Sequence, residues 1–148
     1  SHRLKSGIII GFEFIKEKNV IGFSNSAFRA ELIPEKLSIP QDVAVVDWFF
    51  YTLLLHAGHK AVFSNEMITY YRQYNDNMIG INNETLNKNK KKLALKAMHY
   101  RYLSSSFTEF EELAKKYSKE KNLTDIQVST LLQNNKITYP LWWENIKI

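Results

Sequence analysis

The first 40 residues alternate short apolar runs with polar breaks. Residues 8–10 and 20–23 form two β-branched, apolar runs, each flanked by glycine, which predicts strands or extended segments. The stretch 24–33, "SNSAFRAELI", places serine and asparagine ahead of apolar residues at helical spacing, which predicts a short helix. Small elements are therefore expected at the start of the chain.

The longest apolar run spans residues 43–57 and contains one carboxylate, Asp47. Because this run is apolar on nearly all sides, it predicts a helix that is buried around most of its circumference. We expect the helix to end near His56, since Gly58 stands where a left-handed cap residue often follows a helix. Beyond it, residues 61–63 predict an extended segment and residues 67–74 predict a strand.

The second half has the apolar spacing of helices. Residues 84–103 place Leu93, Ala97, Tyr100 and Leu103 on one helical face. Threonine is followed three residues later by Glu or Gln at 108–111 and 124–127, the pattern of a capping box that begins a helix. The predicted fold class is α+β with helix dominant: short strands and a buried helix in residues 1–80, then a helical region over 81–148.

Composition and charge exclude some kinds of site and distinguish the two halves of the chain. The 148-residue chain is 45% hydrophobic and has no cysteine, which excludes disulfides and thiolate zinc sites. Residues 1–80 hold 8 basic and 8 acidic side chains, whereas residues 81–148 hold 12 and 7, so the second half carries the entire net charge of +5. No signal peptide is visible and the run 43–57 is short for a membrane span, so we expect a cytoplasmic location that includes the inner face of the membrane.

Part of the positive charge is concentrated in lysines 88, 90, 91, 92 and 96. Such a tract can contact nucleic acid or an anionic membrane surface. Because glycine and aromatic residues do not interleave with the lysines, a solvated helix face is favoured and no nucleic-acid partner is expected. Peripheral membrane contact through this basic helix stays an open alternative.

Three segments in order, "GFSNSAFR", "IPQDVAVVDWFF" and "AGHKAVFSNEMITYYRQYNDN", resemble the second half of family 2 nucleotide-sugar glycosyltransferases. In that family an Asn-containing strand leads into a short helix, an acidic pair opens a buried helix that ends in glycine, and a strand ends near Arg or His. The likeness covers roughly residues 20–80. It implies part of a glycosyltransferase A-type fold, the acceptor-side portion, followed by a helical C-terminal extension.

The resemblance places Asp47 on the second acid of the pair, the general base of inverting members; Val46 stands where the first acid would be. A general base takes the proton of the acceptor hydroxyl as that oxygen attacks the anomeric carbon, and apolar neighbours raise its pKa toward the value this role requires. The competing interpretation is a helix N-cap or first-turn acid. If Asp42 begins the helix, Asp47 lies a full turn in and a capping role fails.

Three further residues are candidates for contact with an acceptor or a phosphate: Arg72, Asn25 and Trp48. The planar guanidinium of Arg72 suits a phosphate or carboxylate, but Arg72 can equally pair with a nearby acid. Asn25 can touch an acceptor sugar, although fixing a loop is the favoured role. His56 and His59 lie three residues apart across the helix end, but without a third ligand they do not predict a metal site.

The donor-binding half of such an enzyme has no counterpart in this sequence, which contains no Asp-x-Asp motif. A sugar diphosphate needs a divalent cation or a cluster of donors to neutralise it. We therefore expect this chain alone to be inactive and to hold no cofactor. The full-length enzyme would use Mn²⁺ or Mg²⁺, a nucleotide-sugar donor, and a glycan or lipid-linked acceptor.

A different class of function stays open: a non-enzymatic helical module that binds a protein partner or an anionic surface through the basic second half. The aromatic C-terminus, with Trp142 and Trp143, predicts packing against a core or self-association.

Overall fold

The computed structural model describes residues 4–70 and 85–134, with the side chains of 132–134 excepted. The described residues form two compact units: 4–39 with 46–70, and 40–45 with 85–134. The sequence-based division at residue 80 lies outside the described residues, as do Arg72, Trp142 and Trp143.

The first unit contains a two-stranded sheet and two helices. Strand β1 (Ile9–Ile10) pairs antiparallel with β2 (Ala61–Val62), with Ile9 opposite Val62. Helix α1 (Phe12–Ile15) follows the first strand directly, and helix α2 (Val46–His56) precedes the second. Of the predicted extended segments in this half, those at 8–10 and 61–63 are therefore confirmed as one small sheet.

Helix α2 supplies most of the core of this unit. Its buried residues are Trp48, Phe49, Phe50, Tyr51, Thr52, Leu54 and Leu55. The helix ends as predicted, since Gly58 adopts a φ of 94°. The Gly58 N–H donates to the Leu55 carbonyl at 3.1 Å and the His59 N–H donates to the Leu54 carbonyl at 3.3 Å, which is a Schellman motif.

Two predictions in the first half are wrong over the described residues, and a third holds only in part. Of the run 20–23, which was predicted as a strand or an extended segment, no residue forms a strand; Gly22 has an extended backbone and a 3₁₀ turn occupies Phe23–Asn25. The helix expected over 24–33 is reduced to a 3₁₀ turn at Ala30–Leu32. Residues 67–70 form no strand, and the remainder of the predicted segment 67–74 lies outside the described residues. A β-branched run forms a strand only where a partner strand takes up its backbone groups.

The second unit is built from helices α3 (Leu86–Ser104), α4 (Glu111–Glu120) and α5 (Asp125–Asn134). The predicted apolar face of α3 is confirmed, because Leu93, Ala97, Tyr100 and Leu103 are all buried. Phe110, Tyr117 and Val128 from the following elements complete this core. Within the unit, residues 40–45 are linked to α3 by Asp42, which accepts hydrogen bonds from Arg101 and from the Tyr102 hydroxyl.

One of the two predicted capping boxes forms. At the start of α5 the Thr124 N–H donates to Gln127 Oε1 at 2.9 Å, and the Gln127 N–H donates to Thr124 Oγ1 at 3.4 Å. The box at 108–111 does not form. A 3₁₀ turn over Thr108–Phe110 begins one residue earlier than that box requires, with Phe107 at the N-cap, and it continues into α4. Thr108 therefore lies inside the 3₁₀ turn and is not its N-cap residue.

The solvated lysine face predicted for α3 is wrong for two of its five lysines. Lys92 is 8% exposed and Lys96 is 2% exposed, because the long aliphatic part of a lysine packs against apolar neighbours. Lys90 forms an ion pair with Asp125 within the unit, with 2.6 Å between Nζ and Oδ1.

The described residues form a helix-dominant fold with a small sheet. None of their helices has the length and apolar character needed to cross a bilayer.

Candidate functional site

Asp47 is the second residue of α2 and lies in its first turn. Helix α2 begins at Val46, so Asp42 does not start it and Asp47 is not a full turn in. Its carboxylate Oδ1 accepts a hydrogen bond from the Trp48 N–H at 2.7 Å. This N–H is one of the four at the helix start that have no carbonyl partner inside the helix, so Asp47 stabilises the first turn locally.

The Asp47 carboxyl is also partly withdrawn from water. Burial raises the pKa of this carboxyl above its ordinary value, and the hydrogen bonds from the Trp48 N–H and the Asn19 side chain only partly offset that effect. Asn19 Oδ1 is itself buried with no hydrogen-bond partner among the described residues. First-turn stabilisation and a raised pKa thus coexist in one side chain.

Gly22 brings Asn25 next to Asp47. The Asn25 side-chain oxygen accepts the Gly22 N–H at 3.0 Å, which closes the 3₁₀ turn. A β-carbon built on Gly22 would lie 3.1 Å from Asn25 Oδ1 and 3.5 Å from Asp47 Oδ2. Two of the residues that the sequence singled out are therefore neighbours in the first unit. Asn25 is exposed, as a ligand contact must be, but its oxygen is already used in fixing the loop.

A chain of hydroxyl groups extends the polar cluster. Ser26 Oγ lies 2.6 Å from both the Gly22 carbonyl and the Tyr51 hydroxyl. Because Ser26 donates its one proton to the carbonyl, Tyr51 donates to Ser26. Burial raises the pKa of the Tyr51 hydroxyl, and the negative charge of Asp47 raises it further. Tyr51 therefore stays neutral near the carboxylate.

Two half-exposed aromatic rings border this cluster. Phe23 is 46% exposed and Phe28 is 41% exposed. The Phe23 ring centroid lies 5.3 Å from that of Phe50 and 5.5 Å from that of Tyr51, and the Phe28 centroid lies 5.1 Å from that of Phe50. These contacts fix the two rings while leaving part of each accessible. We call Asp47, Asn25, Ser26, Tyr51, Phe23 and Phe28 the α2 cluster.

Trp48, which was expected to face a ligand, belongs to the core. Its side chain is fully buried and its indole Nε1 donates to the Ile15 carbonyl at 2.9 Å. The structure leaves it no surface for an acceptor. Arg72 lies outside the described residues, and among those described no three His, Asp or Glu side chains converge as metal ligands.

Sequence reasoning missed Ser26, Tyr51, Phe23 and Phe28 as members of the α2 cluster, and it missed Asn19 and Gly22 beside it. The available signal was the polar residues on either side of the run 20–23, whose pattern predicts a strand or an extended segment. Once that segment forms a loop and a 3₁₀ turn, those residues gather beside the start of α2.

Comparison with known proteins finds no matching family model, curated protein or solved structure.

Proposed function

We propose that the first unit is the acceptor-side portion of a nucleotide-sugar glycosyltransferase, with Asp47 as general base. The observation that carries the proposal is the state of the Asp47 carboxyl: part-buried, raised in pKa, and next to Asn25. A carboxyl needed only to begin a helix is stabilising when ionised and solvated. Partial burial instead gives a base whose proton affinity is closer to that of a working catalyst.

In the proposed reaction the acceptor hydroxyl donates a hydrogen bond to Asp47. Its proton passes to the carboxylate as the oxygen forms a bond to the anomeric carbon of the donor. The bond from that carbon to the donor phosphate breaks, and its electron pair leaves with the nucleoside diphosphate. Because attack and departure occur on opposite faces, the configuration at the anomeric carbon inverts.

The other members of the α2 cluster would position the acceptor. The accessible faces of Phe23 and Phe28 can pack against the C–H groups of a sugar ring. The Asn25 amide nitrogen can donate a hydrogen bond to a sugar oxygen while its oxygen holds the Gly22 N–H. The hydrogen bond from the Trp48 N–H orients the base.

The described residues do not fit a divalent cation, since they bring no three carboxylate or imidazole ligands together. Donor binding, and any Mn²⁺ or Mg²⁺ that supports it, is therefore assigned to a part of the enzyme beyond the described residues. No step above depends on a metal held by this unit.

The proposal is tested by acceptor binding. Saturation-transfer NMR with a panel of free mono- and oligosaccharides should show transfer to at least one sugar. Replacing Phe28 by Ala should abolish that transfer, whereas replacing the exposed Glu35 by Gln should not. A panel that gives no transfer, or transfer unaffected by the Phe28 change, would count against an acceptor surface at the α2 cluster.

A further inference from the structure

The second unit buries ionisable side chains on the faces of α3 and α4. Lys96 is 2% exposed, His99 is 3% exposed and Glu120 is 7% exposed. Lysine and glutamate are almost never buried this deeply unless a partner of opposite charge accompanies them. This interior is therefore unusual for a small helical unit.

Lys96 is held by an aromatic residue of α4. Its Nζ donates to the Tyr117 hydroxyl at 3.2 Å and lies 5.0 Å from the centroid of the Tyr117 ring. Tyr117 is stacked on Tyr100, with ring centroids 5.0 Å apart and an interplanar angle of 17°. The α3–α4 contact thus fixes the position of the ammonium group through the hydroxyl and the ring of one residue.

Glu120 lies in a less favourable setting for a charged carboxylate. Its Oε2 is buried and has no hydrogen-bond partner among the described residues. Glu120 is also the last residue of α4, where the helix carries its partial negative charge. Both features disfavour the ionised form relative to the neutral acid.

The charged groups that act on Glu120 come from α3 and α4. Lys116 on its own helix and Lys96 on α3 both favour ionisation, but burial outweighs them and raises the pKa of Glu120 to about 7. The buried histidine of α3 is neutral, because burial and the positive charge of Lys96 lower the pKa of His99 well below its ordinary value.

We propose that the α3–α4 contact is a pH-sensitive switch in which buried Glu120 holds its proton and α4 loosens from α3 when that proton is lost. Protonated Glu120 fits the interior as a neutral group. Ionised Glu120 must regain water, and as the terminal residue of α4 it can do so by unwinding the last turn. The device requires no ligand and is independent of the function proposed for the first unit.

The direction of the pH effect follows from proton binding. Between pH about 4.5 and 7 the folded unit binds the Glu120 proton and the unfolded chain does not, so rising pH destabilises the folded state over that window. His99 acts in the opposite sense, since falling pH below about 6.5 protonates it only in the unfolded chain. The two effects partly cancel below pH 6.5, so the Glu120 contribution must be isolated by a variant.

The test compares Glu120→Gln with the wild-type chain in urea titrations from pH 5 to pH 8.5, followed by circular dichroism at 222 nm. Gln mimics the protonated acid. The ratio of the two unfolding equilibrium constants should change on the order of 100-fold across the window and become constant above it. Glu35→Gln, at an exposed acid outside α4, is the control and should leave the urea midpoint at pH 8.5 unchanged, whereas Glu120→Gln should raise it.

A second measurement covers the case in which Glu120→Gln does not fold. The side-chain carboxyl ¹³C resonance of Glu120 in the wild-type chain should titrate near pH 7. Faster hydrogen exchange of the last α4 amides above that pH, after correction for intrinsic rates, should accompany it. A Glu120 titration near pH 4.5, or a Glu120→Gln variant with the wild-type pH dependence, would overturn the switch.

Discussion

The side chains of Asn25 and Asp47 converge on Gly22. A β-carbon at position 22 would lie 3.1 Å from Asn25 Oδ1 and 3.5 Å from Asp47 Oδ2. The backbone φ of Gly22 is −102°, which any residue can adopt, so the constraint at this position is one of space. An added β-carbon would press on the Asn25 side chain and would meet Asp47 at an ordinary contact distance.

Gly22→Ala tests that spatial requirement. Moving Asn25 away weakens the hydrogen bond that its oxygen accepts from the Gly22 N–H, so we expect a loss of about 0.5–1.5 kcal/mol in unfolding free energy. Gly11→Ala is the matched control, because nothing lies within 4 Å of its added β-carbon and its φ is −108°. That control should be neutral or gain about 0.4–1 kcal/mol. Equal effects of the two changes in urea titrations would contradict the packing argument.

Replacements of Asp47 separate the cost of its burial from its contribution to the helix start. Because burial raises the pKa of Asp47, the folded state binds its proton more tightly than the unfolded chain, and stability falls as pH rises through that range. Asp47→Asn removes the charge and should leave stability at pH 7 equal or higher.

Asp47→Ala removes the hydrogen bond to the Trp48 N–H as well and should lose about 0.5–2 kcal/mol. Denaturant midpoints at pH 7 measure both changes. If the Asn variant lost as much stability as the Ala variant, an ionised, stabilising carboxylate would be indicated.

Lys96 and Tyr117 provide a test of the buried interior of the second unit. Tyr117→Phe removes the hydroxyl that accepts a hydrogen bond from the Lys96 ammonium group. We expect this change to destabilise the folded chain by about 1–3 kcal/mol. In a Lys96→Met background the same change should cost much less, since the buried charge is gone. Tyr70→Phe, at a residue that is 93% exposed, should be neutral. Additive effects of the Lys96 and Tyr117 changes in unfolding titrations would show that the two side chains do not interact.

Sugar nucleotides should not bind to this chain alone. The sequence has no Asp-x-Asp motif, and the described residues hold no cluster of metal ligands. We expect calorimetric titration with UDP- and GDP-sugars in the presence of Mn²⁺ to give no saturable heat. A clear saturable isotherm would place donor binding in this chain. It would contradict the proposal that the donor is bound by a different part of the protein.

The sequence predicted those elements whose signal is local and periodic. The spacing of Leu93, Ala97, Tyr100 and Leu103 identified the buried face of α3, and Gly58 identified the end of α2. The segment 20–23 left a strand and an unpaired extended segment both open, because β-branched composition does not reveal whether a partner strand exists.

Burial of charged groups was also beyond local reasoning. Lys96 lies in a lysine-rich tract, and only the fold shows that its ammonium group donates a hydrogen bond to the Tyr117 hydroxyl. The α2 cluster was predicted in part, since Asp47 and Asn25 were named, whereas Trp48 proved to be core and Ser26 and Tyr51 were overlooked.

An assay of sugar transfer by the product of the whole open reading frame that contains this chain tests the central proposal most directly. We predict sugar transfer with inversion, and a fall in kcat of roughly 10²–10⁴-fold for Asp47→Asn, with donor affinity little changed. Glu35→Gln, an exposed acid of the same unit, should keep wild-type kcat. Wild-type turnover that survives Asp47→Asn, or a full-length protein that transfers no sugar, would contradict the assignment of Asp47 as general base.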